Sequence, residues 1–214
     1  MPEPTAKQQL LGLLAQLSFR LGEFKLSSGA SSDYYIDCRM TTLHAEGARL
    51  TGRVVLDAIR EHQLQTDAIG GMTMGADPIV TAVSVLSSQE FKMRASSRKG
   101  KHVTKPIYLN AHPINGFLVR KAEKTHGTGR RIEGFAEKDA KVVIVDDVCT
   151  TGSSTIQAIE AAREAGMEIV GVICLVEREE ATGRPAVERA AAPAPFISIF
   201  KASDVRTEYL KQQR

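Results

Sequence analysis

The architecture of this chain follows from residues 141–159, which read KVVIVDDVCTTGSSTIQAI. Four consecutive β-branched residues, 142–145, predict a strand that is buried on both faces of a parallel sheet. Two carboxylates, Asp146 and Asp147, come directly afterwards, at the carboxyl end of the strand, where open α/β sheets bind their ligands. Because a buried carboxylate without a partner costs free energy, we expect hydroxyl groups, a cation or both to meet this pair.

A turn rich in hydroxyl groups follows the acidic pair at residues 149–155, CTTGSST, and contains one glycine, Gly152. The apolar residues Ile156, Ile159 and Ala162 then recur at helical spacing. Backbone N–H groups, hydroxyl groups and the positive end of the helix dipole converge at such a turn, which suits a phosphate group. A single Ser or Thr in this place more often only caps a helix, so the prediction depends on the whole string.

The composition favours one globular domain covering residues 1–214. Hydrophobic residues make up 43% and charged residues 25%, and no apolar run approaches the length of a membrane span. The first residues, MPEPTAKQQL, lack the basic start and apolar core of a secretory signal. Three cysteines without CxxC spacing argue against a disulfide framework and a zinc site, so we expect a cytoplasmic protein. The formal net charge of +3 fits a small anionic substrate at least as well as nucleic acid.

Strand-like and helical patterns alternate along the chain, which is typical of a parallel sheet wrapped by helices. The spacing of apolar residues predicts helices over 5–21, 44–62, 79–86, 185–192 and 202–210. Strand-like runs occupy 34–37, 68–69, 116–119, 142–145, 169–176 and 196–200. A second glycine-bearing turn, around Gly75, offers amides for another phosphate group, although a plain turn explains it equally well.

Residues 87–113 interrupt this alternation with a crowd of basic side chains. Such a stretch is most often a solvated loop, and an RNA or membrane-surface patch is the less favoured reading. Only Phe91 and Tyr108 supply aromatic rings among the charges, so base-stacking sites are not evident. We therefore interpret the segment near 88–113 as an insertion without a role in the chemistry.

A second charged segment, residues 120–134, is punctuated by glycines and has almost nothing to bury. This composition predicts a mobile flap. Three full positive charges, on Arg120, Lys121 and Lys124, together with the titratable His126, suit a diphosphate group. A solvated hairpin tip is the plainer alternative.

Three separated stretches together resemble the orotate phosphoribosyltransferase family, within the type I phosphoribosyltransferases. They are FKLSSGASSDYYID at 24–37, RKAEKTHGTGRRIEG at 120–134 and VVIVDDVCTTGSS at 142–154. The third is similar to the motif that binds 5-phosphoribosyl-1-diphosphate (PRPP), and the RKxxKxHG pattern of the second is distinctive of the orotate enzymes. The resemblance implies an α/β, single-domain type I phosphoribosyltransferase fold: a mostly parallel sheet flanked by helices, with a small N-terminal hood and a mobile flap.

The resemblance also implies an activity, a cofactor and partners. The 5-phosphoribosyl group of PRPP would be transferred to orotate, giving orotidine 5′-monophosphate and diphosphate in pyrimidine (UMP) biosynthesis. Mg²⁺ would arrive with PRPP, with Asp146 and Asp147 contacting it at most through water and no certain direct protein ligand. The protein would be a homodimer whose flap is shared across the interface, with neither membrane nor nucleic acid as a partner.

Site residues follow from the positions that match the family's motifs. The resemblance gives catalytic roles to Lys124, His126, Asp146 and Asp147. It assigns PRPP binding to Arg120, Lys121, Lys124, His126, Asp146, Asp147, Val148, Cys149, Thr150, Thr151, Gly152, Ser153 and Ser154. It assigns orotate binding to Thr150, Arg178, Tyr34 and Tyr35. Ser27 and Met74 stand where some members carry lysines, which leaves open how the diphosphate is neutralised.

Two other functions remain as alternatives. A purine phosphoribosyltransferase would share the PRPP motif, but the flap sequence is not the purine enzymes' pattern. A non-catalytic, PRPP-sensing regulator would need a DNA-binding module, and only about twenty residues precede the first family stretch, which is short for any domain.

Overall fold

A computed structural model describes residues 3–25, 31–97, 112–121 and 131–213 of the chain. The strands are β1 Phe19–Lys25, β2 Ser31–Ile36, β3 Ala68–Met72, β4 Asn115–Val119, β5 Ile132–Gly134, β6 Lys141–Cys149, β7 Glu168–Glu177 and β8 Phe196–Lys201. The helices are α1 Ala6–Leu13, α2 Arg39–Thr42, α3 Ala45–Glu61, α4 Asp77–Ser97, α5 Ser153–Glu164, α6 Gly183–Ala191 and α7 Ala202–Gln212. The predicted α/β alternation is confirmed.

Within the described ranges, six strands form the main sheet in the order β5-β4-β3-β6-β7-β8. Every neighbouring pair is parallel except β4 with β5, which is antiparallel. Strand β6 lies near the middle, and its residues 142–145 are at most 1% exposed. The prediction of a mostly parallel sheet with a strand buried on both faces is therefore correct.

Helices cover both faces of this sheet, because successive side chains of β6 point to opposite sides. Val143 and Val145 belong to the core cluster under α1, α3, α4 and α7. Val142 and Ile144 belong to the cluster under α5 and α6. Burial on two sides fixes the register of the central strand, since a slip of one residue would exchange the two sets of side chains.

The N-terminal hood, which contains α1, β1 and β2, differs from the sequence prediction. A helix was expected over residues 5–21, but α1 ends at Leu13 and a single π-type turn, Leu14–Ser18, leads into β1. Strand β1 pairs antiparallel with β2, and Leu21 lies in that strand with 41% of its surface exposed. The leucine spacing predicts too long a helix, because β2 supplies backbone partners for residues 19–25 that helical periodicity cannot anticipate.

Helix α4 corrects the predicted start of the basic insertion. The loop expected from residue 87 begins later, because α4 continues through Ser97. Ser87 is buried, and its hydroxyl group accepts a hydrogen bond from the Ile114 N–H at 3.0 Å. Glu90 forms ion pairs with Arg53 and Arg60 of α3. These tertiary contacts stabilise a helix whose sequence suggested a break.

Parts of both charged segments lie outside the described residues, namely 98–111 of the insertion and 122–130 of the flap. The assignment of the whole chain, 1–214, to one domain stays a prediction. Among the helices of the described ranges, none combines the length and the apolar character that crossing a membrane requires.

Close contact between β3 and β4 generates a stability prediction. A Cβ atom on Gly70 would lie 2.4 Å from the ring of Phe117, its partner on β4. Gly70→Ala is therefore expected to lower the free energy of unfolding by about 1–3 kcal/mol through overpacking. The matched control is Gly12→Ala in α1, where the nearest atom is 3.6 Å away and a neutral to slightly stabilising effect is expected. Urea denaturation of both variants measures this, and equal stabilities would contradict the packing argument.

Candidate active site

The acidic pair and the hydroxyl-rich turn lie together at the carboxyl end of β6. The strand passes through Asp146 and Asp147 and ends at Cys149, beyond the predicted end at residue 145, and α5 begins at Ser153. Gly152 precedes the helix with a left-handed φ of 77°. A Cβ atom there would also lie 2.5 Å from the Val187 side chain, so both conformation and space require glycine.

Asp146 is almost fully buried, and the protein itself supplies its hydrogen-bond donors. The hydroxyl group of Thr155, in the first turn of α5, donates to Oδ2 at 2.5 Å. The backbone N–H of Asp147 donates to Oδ1 at 3.0 Å. The pKa of Asp146 is raised to about 7, chiefly by burial and also by the neighbouring Asp147 carboxylate, while the Thr155 hydrogen bond opposes both. The expectation that a hydroxyl group meets the pair is confirmed.

Asp147 is the more open member of the pair. Its Oδ1 accepts a hydrogen bond from the Val148 N–H at 3.0 Å. Burial raises its pKa, and the Val148 amide and the Arg39 guanidinium oppose that shift. A Cβ atom on Gly75 would lie 2.4 Å from Asp147 Oδ1, so the second glycine-bearing turn packs directly against the acidic pair. Met74 precedes that glycine, and 65% of its surface is exposed.

The turn between β6 and α5 presents its side chains to solvent. Thr151, Ser153 and Ser154 are exposed and Thr150 is half-buried. The Ser153 N–H points to the Thr151 hydroxyl oxygen at 3.5 Å. Hydroxyl groups and amides at the N-terminus of a 12-residue helix suit an anion, because the helix dipole adds positive potential there.

Cys149, at the start of this turn, is a packing residue. Its side chain is 1% exposed, and its N–H donates to the sulfur of Cys174 at 3.1 Å. The thiol of Cys174 donates in turn to the Val176 carbonyl group at 3.1 Å. The carbonyl group of Cys149 accepts a hydrogen bond from the Arg178 N–H at 2.9 Å. This last bond joins the end of β7 to the hydroxyl-rich turn.

Arg178 lies at the centre of a cluster that also contains Ser32, Tyr34 and Glu180, hereafter the Arg178 cluster. Its Nε donates to the Tyr34 hydroxyl group at 3.1 Å and to Glu180 Oε1 at 2.9 Å. Its Nη2 donates to the Ser32 hydroxyl group at 2.8 Å. The guanidinium carbon also lies 4.4 Å from the centre of the Tyr34 ring. The structure thus brings together two predicted site residues, Tyr34 and Arg178, that are 144 residues apart.

Other predicted site residues lie apart from this cluster. Tyr35 points to the opposite face of β2, is 40% exposed and packs on Phe24 with ring centroids 5.5 Å apart. Arg120 pairs with Glu133 at 3.4 Å, and Lys121 is exposed. Lys124 and His126 lie outside the described residues, as does Ser27. The roles predicted for these residues stay predictions.

Sequence reasoning missed three residues of this site: Thr155, Ser32 and Glu180. Thr155 is the last residue of the hydroxyl-rich string. Its position in the first turn of α5 could have indicated that it faces the acidic pair. No local pattern pointed to Ser32 or Glu180, because each contacts a partner from a distant part of the chain.

The fold and the site define a phosphoribosyltransferase. Residues 117–189, which include the acidic pair and the hydroxyl-rich turn, match the phosphoribosyl transferase domain family. The chain is 41% identical over 200 residues to the orotate phosphoribosyltransferase of Corynebacterium glutamicum (strain R), covering 94% of both chains. At this identity and coverage, the chain belongs to the orotate phosphoribosyltransferase family.

Solved structures show the same fold. Orotate phosphoribosyltransferase of Mycobacterium tuberculosis H37Rv in complex with Fe(III) dicitrate matches with a TM-score of 0.71 and 32% identity, covering 94% of this chain and 99% of that one. A structure of that enzyme in complex with PRPP matches with a TM-score of 0.68 and 29% identity, at 94% and 99% coverage. The predicted fold class is therefore confirmed.

The raised pKa of Asp146 makes stability depend on pH. Its pKa is about 7 in the folded protein and roughly 3.9 in an unfolded chain. Between these values the folded protein binds one more proton, so the free energy of unfolding falls as the pH rises, and levels off above about 7. We expect this decline in urea denaturation from about pH 5 to 8 without divalent cations, and Asp146→Asn should flatten it.

The control for this experiment is Asp139→Asn, at an exposed position with a positive φ that Asn tolerates. This variant should keep the decline of the wild-type protein. A decline that persists unchanged in Asp146→Asn would show that Asp146 is not its source.

Proposed function

We propose that this protein transfers the 5-phosphoribosyl group of PRPP to orotate, forming orotidine 5′-monophosphate and diphosphate in pyrimidine biosynthesis. One observation carries the proposal: the hydrogen bond from the Arg178 N–H to the Cys149 carbonyl group. It sets a buried guanidinium, suited to a substrate carboxylate, beside the turn suited to a phosphate group. Membership of the family and the PRPP complex of the M. tuberculosis relative support the same reaction.

The phosphoribosyl group would lie over the end of β6. The hydroxyl groups and amides of residues 150–154 would hold the 5′-phosphate at the N-terminus of α5. Asp146 and Asp147 would accept hydrogen bonds from the ribose hydroxyl groups. Thr155 and the Asp147 amide already orient the Asp146 carboxyl group, so ribose binding needs little reorganisation there.

The base would lie between this sugar and the Arg178 cluster. A guanidinium group matches the planar geometry of a carboxylate and can bind it through two parallel hydrogen bonds. Tyr34 supports the guanidinium from one face. Thr150 would complete the contacts to the base, whereas Tyr35 lies on the opposite face of β2 and packs on Phe24.

Cleavage of the C1′–O bond leaves an oxocarbenium-like ribose and a departing diphosphate, so no covalent nucleophile is needed. The protein would act by aligning the base and by stabilising the developing negative charge. Lys124 and His126 would close over the leaving group, with Arg120 and Lys121 at the base of the flap. Closure would also exclude water, which would otherwise hydrolyse PRPP.

The acidic pair fits a role beside Mg²⁺. Mg²⁺ is usually bound by one or two carboxylates plus substrate phosphates, and Asp147 offers such a carboxylate in a partly open position. Across the described ranges no group of three or more His, Cys, Asp or Glu side chains could hold a metal ion. When bound with PRPP, Mg²⁺ would neutralise charge on the phosphates.

The quaternary structure and the compartment complete the proposal. The protein would be a C₂ homodimer in which each flap closes over the partner's site. It would act in the cytoplasm, which fits three cysteines that are all buried free thiols.

The choice of base is the most direct test. With Mg²⁺ and PRPP, the purified protein is expected to consume orotate and to leave adenine, guanine and hypoxanthine untouched, because only orotate brings a carboxylate to Arg178. The ultraviolet absorbance change with each base measures this. Turnover of a purine without orotate would favour the purine alternative, and binding of PRPP with no turnover of any base would favour the regulator.

Sharing of the flap predicts complementation between two defective chains. Lys124→Ala should lower kcat by roughly 10²–10³-fold, like the loss of one preorganised charge-stabilising donor. Asp146→Asn with Asp147→Asn removes the other half of the site. After subunit exchange, about half of the dimers are mixed and each has one fully intact site, so roughly a quarter of all sites should regain activity.

The control is each defective protein exchanged with itself, which should stay inactive. If exchange is demonstrated and the mixture shows only the average of the two mutant activities, each site is built from a single chain.

A further inference from the structure

The guanidinium of Arg178 already has a carboxylate partner from its own chain. Glu180 Oε1 accepts a hydrogen bond from Arg178 Nε at 2.9 Å, and the Tyr34 hydroxyl group donates to the same oxygen. Although burial raises the pKa of Glu180, the hydrogen bonds from Tyr34 and Arg178 bring it below its ordinary value. A carboxylate of the protein is thus held at the group that would receive a carboxylate of the substrate.

The members of this cluster differ in how firmly they are held. The Arg178 side chain is 6% exposed, and its backbone is bonded to Cys149. Tyr34 is 7% exposed and stacks on Phe19, with ring centroids 5.4 Å apart. The Glu180 side chain, in contrast, is 50% exposed and lies beyond the end of β7. Glu180 can therefore turn into solvent while the guanidinium and the aromatic ring stay in place.

We propose that Glu180 is a placeholder for the substrate's carboxylate. Glu180 pairs with Arg178 in the free protein and leaves that position when orotate binds. The inference rests on the proposed function, because it concerns how the same site receives the substrate's carboxylate. Arg178 would have one carboxylate partner before and after binding, so its buried charge is never left uncompensated. Glu180 acts through Arg178 and is a positioning residue.

Only a substrate that carries a carboxylate can take part in such an exchange. A base without this group cannot replace Glu180 electrostatically, because turning Glu180 away would leave a buried guanidinium without a counter-charge. A base that carries the carboxylate restores the ion pair as it enters. Glu180 would thus lower the affinity for orotate and leave the affinity for neutral pyrimidines nearly unchanged.

The test is Glu180→Gln, which keeps the shape and the acceptor oxygen but removes the charge. Its dissociation constants for orotidine 5′-monophosphate and uridine 5′-monophosphate, which differ by the carboxylate, are measured by calorimetry. Loss of the competing charge should tighten binding of orotidine 5′-monophosphate by roughly threefold to tenfold. Binding of uridine 5′-monophosphate should change by less than about twofold, and the steady-state KM for orotate should fall.

The matched control is Glu179→Gln. The neighbouring Glu179 accepts a hydrogen bond from the Ala202 N–H at 3.0 Å, a contact that Gln can keep. This variant should bind both nucleotides as the wild-type protein does. Glu180→Asp, which keeps the charge on a shorter side chain, should bind orotidine 5′-monophosphate with an affinity between those of the wild-type protein and Glu180→Gln.

The outcomes separate this inference from the proposed function. A wild-type protein that neither consumes orotate nor prefers the carboxylate-bearing nucleotide overturns both. A wild-type protein that does both, with unchanged or weaker nucleotide binding in Glu180→Gln, overturns the placeholder and leaves a structural role for Glu180. Equal gains in Glu180→Asp and Glu180→Gln would show that charge competition is not the cause. Should Glu180→Gln fail to fold, a Glu180→Asp protein with wild-type or weaker binding overturns the placeholder.

Discussion

The parallel pairing of β6 with β7 is the interaction on which the site depends. Its register places Cys149 beside Glu177, so the two strands end at the same edge of the sheet. The Arg178 N–H continues the pairing by one further bond to the Cys149 carbonyl group. The turn suited to an anion and a buried guanidinium are therefore adjacent, and a shift in register would separate them.

Burying charge at this edge imposes the second constraint. Asp146 and Arg178 are both nearly inaccessible, and each is surrounded by donors or acceptors of the protein. These contacts come from separate elements, Thr155 from α5 and Ser32 from β2. A satisfied polar network stabilises one arrangement, because an incomplete one in a low dielectric is costly. The same network holds the Asp146 carboxyl group and the Arg178 guanidinium in one arrangement.

Local sequence patterns suffice for some elements of this fold and fail for others. Apolar runs rich in β-branched residues correctly marked β6 and β7, and the string from Asp146 to the first turn of α5 kept its predicted order. Two helix ends were wrong. Residue 21 lies in a strand because β2 pairs with it, and α4 continues past Ser87 because Glu90 meets two arginines of α3. In both cases a partner distant in sequence outweighed the local pattern.

What the sequence determined was the fold class, the location of the acidic pair and the turn suited to phosphate, because each is encoded in consecutive residues whose burial and hydrogen bonding are local. The tertiary structure decided which distant groups meet. Strand alternation directs Tyr34 towards Arg178 and Tyr35 away from it, and the course of the chain after β7 returns Glu180 to the guanidinium. Contacts of this kind depend on the packing of separate elements, and no spacing of residues along the chain specifies them.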